Sequence, residues 1–213
     1  MKTDDLITML SREAAPVPRH AALHRLSMAL AAGLPLSFAC MLLFYGMRRD
    51  LAEAVSWPMF WVRLLFPTFM AIAGFVIVHR LARPGVRVSG AWLWLAAPVV
   101  VIWALAVVVF VSAPEAQRPA MIWGQTWRTC AWDIALVSLP VFVGALAALK
   151  GLAPTRPALA GAAAGAMAGA AGAAVYALHC PEMSAPFLAI WYLAGMALPV
   201  LSGALIGARW LKW

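Results

Sequence analysis

Long apolar segments alternate with short polar ones along most of the chain. Each apolar segment is close to the ~20 residues that an α-helix needs to cross a bilayer. The segment 91–112 is the clearest of them and contains no charged residue at all. We predict membrane-spanning helices at about residues 26–46, 61–81, 91–112, 130–150, 158–178 and 186–208.

The fifth apolar segment is built mainly from alanine and glycine. Its glycines recur near one face, at Gly161, Gly165, Gly169 and Gly172. Small residues at this spacing let two helices approach closely. We therefore expect the fifth span to be buried, and we predict an all-α fold, a six-helix transmembrane bundle.

The N-terminal residues show a different pattern, a short amphipathic helix over Thr3–Ala15. Thr3 is suited to cap this helix, and Asp4 and Asp5 put negative charge in its first turn. Its contacting residues would be Asp4, Asp5, Leu6, Ile7, Met9 and Leu10. So short a helix is marginal alone in water and gains stability in a partner's groove or at a membrane surface. An acidic first turn disfavours the anionic membrane surface.

Composition supports a membrane protein, since 65% of the 213 residues are hydrophobic and 11% are charged, against roughly 25% charged in soluble domains. The net charge of +8 comes from basic residues that flank apolar segments, which indicates membrane topology and no direct contact with nucleic acid. We divide the chain into a cytoplasmic tail, 1–25, and a six-span membrane domain, 26–213. We also expect the tail to be retained, because no cleavable signal pattern opens the chain.

Loop charges predict the orientation of the spans. With the N-terminus in the cytoplasm, eleven basic residues lie inside and five outside. The inside set is Lys2, Arg12, Arg19, Arg25, Arg80, Arg83, Arg87, Lys150, Arg156, Arg209 and Lys212. The outside set is Arg48, Arg49, Arg63, Arg118 and Arg128. The expected location is the bacterial inner membrane, with both termini cytoplasmic.

The candidate chemistry lies in the four-residue stretch His179-Cys180-Pro181-Glu182, between two apolar segments. The predicted topology places Cys130 at the same outer interface. Four interpretations stay open for this pair: a structural disulfide, a redox switch, a soft-metal site and a chance coincidence of two thiols. In a switch, a protonated His179 would make the Cys180 thiol more reactive. A metal site would use Cys130, Cys180 and His179, with Glu182 or Asp133 as a fourth ligand.

Other ionisable residues have simpler interpretations. Arg63, near the start of the second span, is expected to snorkel to the outer interface. Asp133 either complements the dipole of the fourth span or pairs with Arg128. The spans place no ionisable residue at the bilayer midplane, which disfavours a transporter, and the chain contains no catalytic or cofactor fingerprint.

The tail, the six spans, Cys130 and the His179-Cys180-Pro181-Glu182 stretch together resemble the NrsF-type membrane anti-sigma factors. The resemblance implies a non-enzymatic regulator that sequesters an extracytoplasmic-function sigma factor and releases it on stress. It assigns the sigma contact to the region of Asp5-Leu6-Ile7, and signal sensing to Cys130 and Cys180.

We accordingly expect a protein whose partners are a sigma factor and membrane lipid. It would carry no cofactor beyond a possible transient soft metal ion, and its signal would be metal binding or a thiol–disulfide change. The alternative functions are a membrane thiol oxidoreductase and, less favoured by the sequence, a small transporter.

Overall fold

The computed structural model describes residue 9, residues 20–83, 85, 86 and 88, and residues 90–212. The predicted tail helix lies outside this range, with Asp4, Asp5, Leu6, Ile7 and Leu10, and Met9 is described by itself as an exposed residue. The division at residue 25 and the contact surface of the tail therefore stay predictions.

Helices connected by short loops make up the described chain, and no strand occurs within it. Six helices are long and apolar enough to cross a membrane, which confirms the predicted all-α six-helix bundle. The elements are α1 (Ala21–Phe44), α2 (Leu51–Ala54), α3 (Pro58–Leu81), α4 (Ala91–Ser112), α5 (Arg118–Trp123), α6 (Trp127–Lys150), α7 (Pro157–Tyr176) and α8 (Ala185–Trp210).

The helix α7 is the central element of the bundle. It packs against α8, α3 and α6, and most of its length is buried. The helix α1 packs mainly on α6, while α4 lies at the periphery against α3 and the start of α8. The helix α7 can occupy the centre because it has few large side chains. Its alanines and glycines let the backbones of three neighbouring helices come close.

The close approach is tightest between α7 and α8. A Cβ atom added to Gly161 would collide with the carbonyl of Gly203, and one added to Gly165 would collide with that of Pro199. Gly172, by contrast, faces Ser138 of α6. The glycines that were predicted to share one face therefore lie on two adjacent faces of α7. Gly161 and Gly165 face α8, and Gly172 faces α6.

Antiparallel helices place the loops at two opposite ends of the bundle. We call one the cysteine end, formed by segments 45–57, 113–126 and 177–184, which hydrogen bonds join directly. At the opposite, basic end, Arg25 donates to the carbonyl of Gly151, and Lys150 donates to that of Trp210.

Charge is divided unevenly between the two ends. The acidic residues in the described ranges lie in the cysteine end, as Asp50, Glu53, Glu115 and Glu182 do, or in the adjoining part of α6, as Asp133 does. The basic end carries Arg25, Arg80, Arg83, Lys150, Arg156, Arg209 and Lys212. The two ends of the folded bundle thus differ in charge, as the distribution of basic residues along the sequence indicated.

Candidate functional site

The loop 177–184 carries Cys180 from the end of α7 to the start of α8. The last turn of α7 continues into it, because the backbone N–H groups of His179 and Cys180 both donate to the carbonyl of Tyr176. This turn directs the Cys180 side chain into the bundle, where it is fully buried. Pro181, which follows, is exposed.

The structure brings Cys130 and Cys180 together. Cys130 lies in the first turn of α6 and is also fully buried. Both thiols are free, both belong to one buried cluster, and Cys130 lies close enough to lower the pKa of the Cys180 thiol. Two residues that are 50 positions apart in sequence therefore form one buried pair at the cysteine end.

The surroundings of Cys180 favour its thiolate. The hydrogen bond from Cys130 is the main cause that lowers the pKa of the Cys180 thiol, and burial opposes it. The backbone N–H of Glu182 and the charge of Arg63 lower this pKa further. Since the thiolate is the nucleophile and the metal ligand, these contacts favour reactivity at Cys180.

Arg63 holds the same loop from the side of α3. The expectation that it snorkels to the interface is wrong, because its side chain is fully buried. Its Nη1 donates to the carbonyl of Cys180 and, at 2.7 Å, to that of Glu182. Two loop carbonyls turned toward the bundle interior need a donor there, and the buried guanidinium supplies it.

Arg48 holds the loop from the other side. Its backbone N–H donates to the carbonyl of Leu178, and its guanidinium makes paired hydrogen bonds of 2.8 and 2.6 Å with Asp50. The hydrogen bond from Arg48 lowers the pKa of Asp50 to about 2. This ion pair fixes Arg48 beside the carbonyl of Cys180, to which Nη1 points at 3.4 Å.

Glu182 joins the loop to the beginning of α6. Its Oε1 accepts hydrogen bonds from the backbone N–H groups of Gln125 and Thr126, at 2.6 and 3.1 Å. A carboxylate at this position satisfies free N–H groups and complements the helix dipole. Gly124 permits the contact, because its φ of +52° suits glycine and a Cβ atom there would meet the carboxylate.

His179 and Asp133 occupy a neighbouring aromatic cluster. The Nδ1 of His179 lies 2.9 Å from the carbonyl of Gly46, so this nitrogen carries the proton. Asp133 accepts a hydrogen bond from the hydroxyl of Tyr176, at 3.1 Å, rather than pairing with Arg128, whose guanidinium lies over the Trp127 ring. Burial, followed by Asp133, raises the pKa of Tyr45 to about 12.

The metal interpretation receives little support from this geometry. Among the residues that the structure describes, no three histidine, cysteine, aspartate or glutamate side chains are grouped so that they could hold a metal ion. Glu182 is engaged with the start of α6, and His179 with Gly46. The two thiols are left as the reactive groups of the site.

Sequence reasoning identified the cysteines and Glu182 but missed the residues that hold them. The pattern indicates a topology charge at Arg48 and an interfacial role for Arg63, although an arginine inside an apolar span, as Arg63 is, signals a buried role. Tyr192 is buried in the same cluster as the two cysteines, and the sequence does not point to it because it lies in the π-helical turn Leu188–Tyr192 of α8. Such a turn has no reliable sequence signature and is frequent at functional sites.

The chain is similar to proteins of one known family. Residues 10–213 match the family model described as "NrsF: Negative regulator of sigma F". The chain is 43% identical to a protein of Azospira oryzae named "Probable anti-sigma-F factor NrsF", with all of both chains covered. It is 38% identical to the "Anti-sigma-F factor NrsF" of Caulobacter vibrioides, again over both full chains. No solved structure matches.

Proposed function

Because the chain belongs to the family of negative regulators of sigma F, NrsF, we propose that it is a membrane anti-sigma factor for a sigma factor of the extracytoplasmic-function type. The family role is regulatory and not enzymatic. A thiol oxidoreductase, the alternative that the cysteine pair favoured, is therefore set aside, and no observation favours a transporter.

We assign sigma-factor binding to the N-terminal tail. In the predicted tail helix, Leu6, Ile7, Met9 and Leu10 share an apolar face suited to a partner's groove, and Asp4 and Asp5 flank it in sequence. The alignments with the two curated relatives cover the whole chain and therefore include the tail. The bound sigma factor is kept from RNA polymerase.

We place both termini in the cytoplasm and the cysteine end on the outer face of the inner membrane. The uneven charge supports this orientation, because cytoplasmic loops carry an excess of lysine and arginine. The outer compartment is also the oxidising one, in which a disulfide can persist. The orientation puts the tail and the cysteine pair on opposite sides of the membrane.

We propose that Cys130 and Cys180 sense stress through a thiol–disulfide change. The observation that supports this most is that Cys130 of α6 and Cys180 of the loop 177–184 are buried in one cluster, where Cys130 lowers the pKa of the Cys180 thiol. A bond between them changes how this loop sits against α3 and α6, because Arg63 and Glu182 hold the same four-residue stretch. We favour this chemistry over metal binding.

We propose that the signal crosses the membrane as a change between two packing arrangements of α6, α7 and α8. Packed interfaces have discrete arrangements rather than continuous ones, and a ligand or a bond shifts the population between them. The glycine contacts of α7 provide a surface on which α8 can move without rotamer changes. The tail then releases the sigma factor in the cytoplasm.

The tail assignment is tested with Leu6→Asp, which places a charge on the apolar face. We expect constitutive transcription from sigma-dependent promoters, because a buried charge without a partner prevents docking. Thr8→Asp adds the same charge off that face and should keep repression. Membrane levels of both variants and co-purification of the sigma factor are measured in parallel. Normal repression by Leu6→Asp would remove the tail from the mechanism.

A further inference from the structure

A long groove runs between α3 and α4 on the outside of the bundle. On α3 its lining extends from Trp61 to Arg80, a separation of 19 residues. At 1.5 Å per residue this is roughly 28 Å, close to the ~30 Å hydrocarbon thickness of a bilayer. The groove has a volume of about 920 Å³, which is near the upper end of the roughly 300–1,000 Å³ typical of ligand sites.

The floor and the sides of this groove differ in burial. Phe66 of α3, with Ala91 and Ile102 of α4, lines the groove and is buried, so these residues form its floor. Phe69 and Val101, one from each helix, line it and are more than half exposed, so they stand at its sides. The two helices thus leave an apolar channel that opens to the surrounding membrane.

The groove becomes polar at the basic end of the bundle. Among the described residues that line it, Arg80 is the only charged one, and it lies in the last turn of α3. A ligand that fits this lining is apolar along most of its length and negatively charged at one end. Arginine is suited to a phosphate group, because its planar guanidinium offers paired N–H donors.

The charge of Arg80 is not balanced by a carboxylate in the described part of the chain. The acidic residues described there lie at the cysteine end or in the adjoining part of α6. The ion pairs that the described residues form, Arg48 with Asp50 and Arg118 with Glu115, also leave it out. A half-buried cation beside an apolar groove gains from an anionic partner.

A second copy of the chain fits this charge less well than a lipid does. Two copies inserted in the same orientation bring their basic ends to the same face of the membrane, so Arg80 would meet further cations there. A phospholipid phosphate supplies the opposite charge, and basic sites between membrane-spanning helices bind anionic headgroups. The bilayer also supplies the acyl chain that the apolar part of the groove accommodates.

We propose that the groove binds one anionic phospholipid, with an acyl chain between α3 and α4 and the phosphate at Arg80. The lipid belongs to the leaflet that meets the basic end. Because it contacts both helices, it holds the peripheral α4 against α3 and stabilises the fold by mass action. This site is a property of the membrane domain and does not depend on the sigma-factor role.

The test measures lipid binding to the full-length protein in a neutral detergent by native mass spectrometry. The probes are phosphatidylglycerol, which is anionic, and phosphatidylcholine with the same acyl chains, which has no net charge. We expect one phosphatidylglycerol per chain, bound about fivefold more tightly than phosphatidylcholine, as one arginine near a membrane surface predicts. Bound phosphatidylglycerol should also raise the Tm. Equal affinities for the two lipids would overturn the proposal.

The charge is tested with Arg80→Gln. We expect the affinity for phosphatidylglycerol to fall about fivefold, to the level of phosphatidylcholine, whose own affinity should not change. Arg209→Gln is the matched control, because Arg209 is an exposed arginine of the basic end outside the groove. It should bind both lipids as the unmodified protein does. Equal losses in the two variants would show a diffuse attraction to the basic end and refute the site.

The groove itself is tested with Ala97→Phe. Ala97 lines the groove on α4 and is exposed, so a larger side chain fills the channel without entering the core. We expect this variant to retain neither lipid. Ala96→Phe, the same change at an exposed neighbour outside the groove, should retain phosphatidylglycerol.

The lipid-free Tm of both phenylalanine variants should stay near that of the unmodified protein. If the Tm of Ala97→Phe falls, the comparison of Arg80→Gln with Arg209→Gln decides alone. Normal lipid binding by a folded Ala97→Phe would contradict the proposal. A dimer mass that carries no lipid and is lost in Ala97→Phe would also contradict it and assign the groove to a second copy of the chain.

Discussion

Arg63 shows how one buried cation organises the cysteine end. It extends from α3 to the carbonyls of Cys180 and Glu182, and it stacks against the ring of Phe60 at 5.6 Å. Its charge also favours the Cys180 thiolate. One residue thus holds the loop backbone and also favours the thiolate of Cys180.

Glu182 gives a prediction on stability. Glu182→Ala removes the acceptor of the N–H groups at the start of α6, and we expect a loss of about 1 kcal/mol, the usual effect of a lost helix cap. Glu53→Ala, an exposed carboxylate at the same end, should change stability by less than about 0.5 kcal/mol. Thermal unfolding in detergent measures both. Equal effects would show that the capping contact adds nothing.

Asp50 gives a prediction on pH. Because Arg48 lowers the pKa of this carboxyl from 3.8 to about 2, the ion pair stabilises the fold fully above pH 3.8. Its contribution is lost as the pH falls through about 2. An NMR titration of labelled aspartate should give a midpoint near 2 for Asp50, and Arg48→Gln should raise it. A midpoint near 3.8 in the unmodified protein would contradict the pairing.

At the scale of single residues, the sequence indicated the reactive and charged groups but not the residues that hydrogen-bond to them. Cys130, Cys180 and Glu182 stood out as reactive or charged groups beside apolar segments. The partners of those groups depend on tertiary contacts across more than 50 positions, as between Arg63 and Cys180. Such contacts leave no local pattern.

At the scale of elements, α7 was the most predictable and α8 the least. The small-residue spacing of α7 indicated a buried helix, and burial follows directly from it. The π-helical turn of α8 could not be foreseen, since its extra residue changes side-chain directions without changing hydrophobicity. That turn contains Tyr192 and also Trp191, whose Nε1 donates to the carbonyl of Ile122.

The contact of α7 with α8 gives a prediction on packing. Gly165→Ala places a Cβ atom against the Pro199 carbonyl, which is backbone and cannot rotate away. We expect a loss of about 1 to 3 kcal/mol, typical of an overpacked interior. Gly90→Ala, where the added Cβ meets nothing within 4 Å, is the control and should be near neutral. Similar Tm values for the two variants would contradict the close approach.

At the scale of the whole molecule, the bundle separates two kinds of surface. The described acidic residues and the thiol pair lie at one end, and most of the basic residues lie at the other. Six apolar helices connect the ends. Hydropathy predicted the six spans, and the loop charges predicted the difference between the two ends. Both depend on composition rather than on detailed contacts. In the proposed orientation, the division separates signal sensing from sigma-factor release.

The most direct test of the account is sigma-dependent transcription in cells with and without peroxide. The unmodified protein and Cys40→Ser, the matched control, should repress the reporter at rest and release it on treatment. Cys130→Ser and Cys180→Ser should repress at rest but lose the response, because neither can form the bond between the two thiols. A full peroxide response in both of these variants would contradict the proposal that this pair senses the signal.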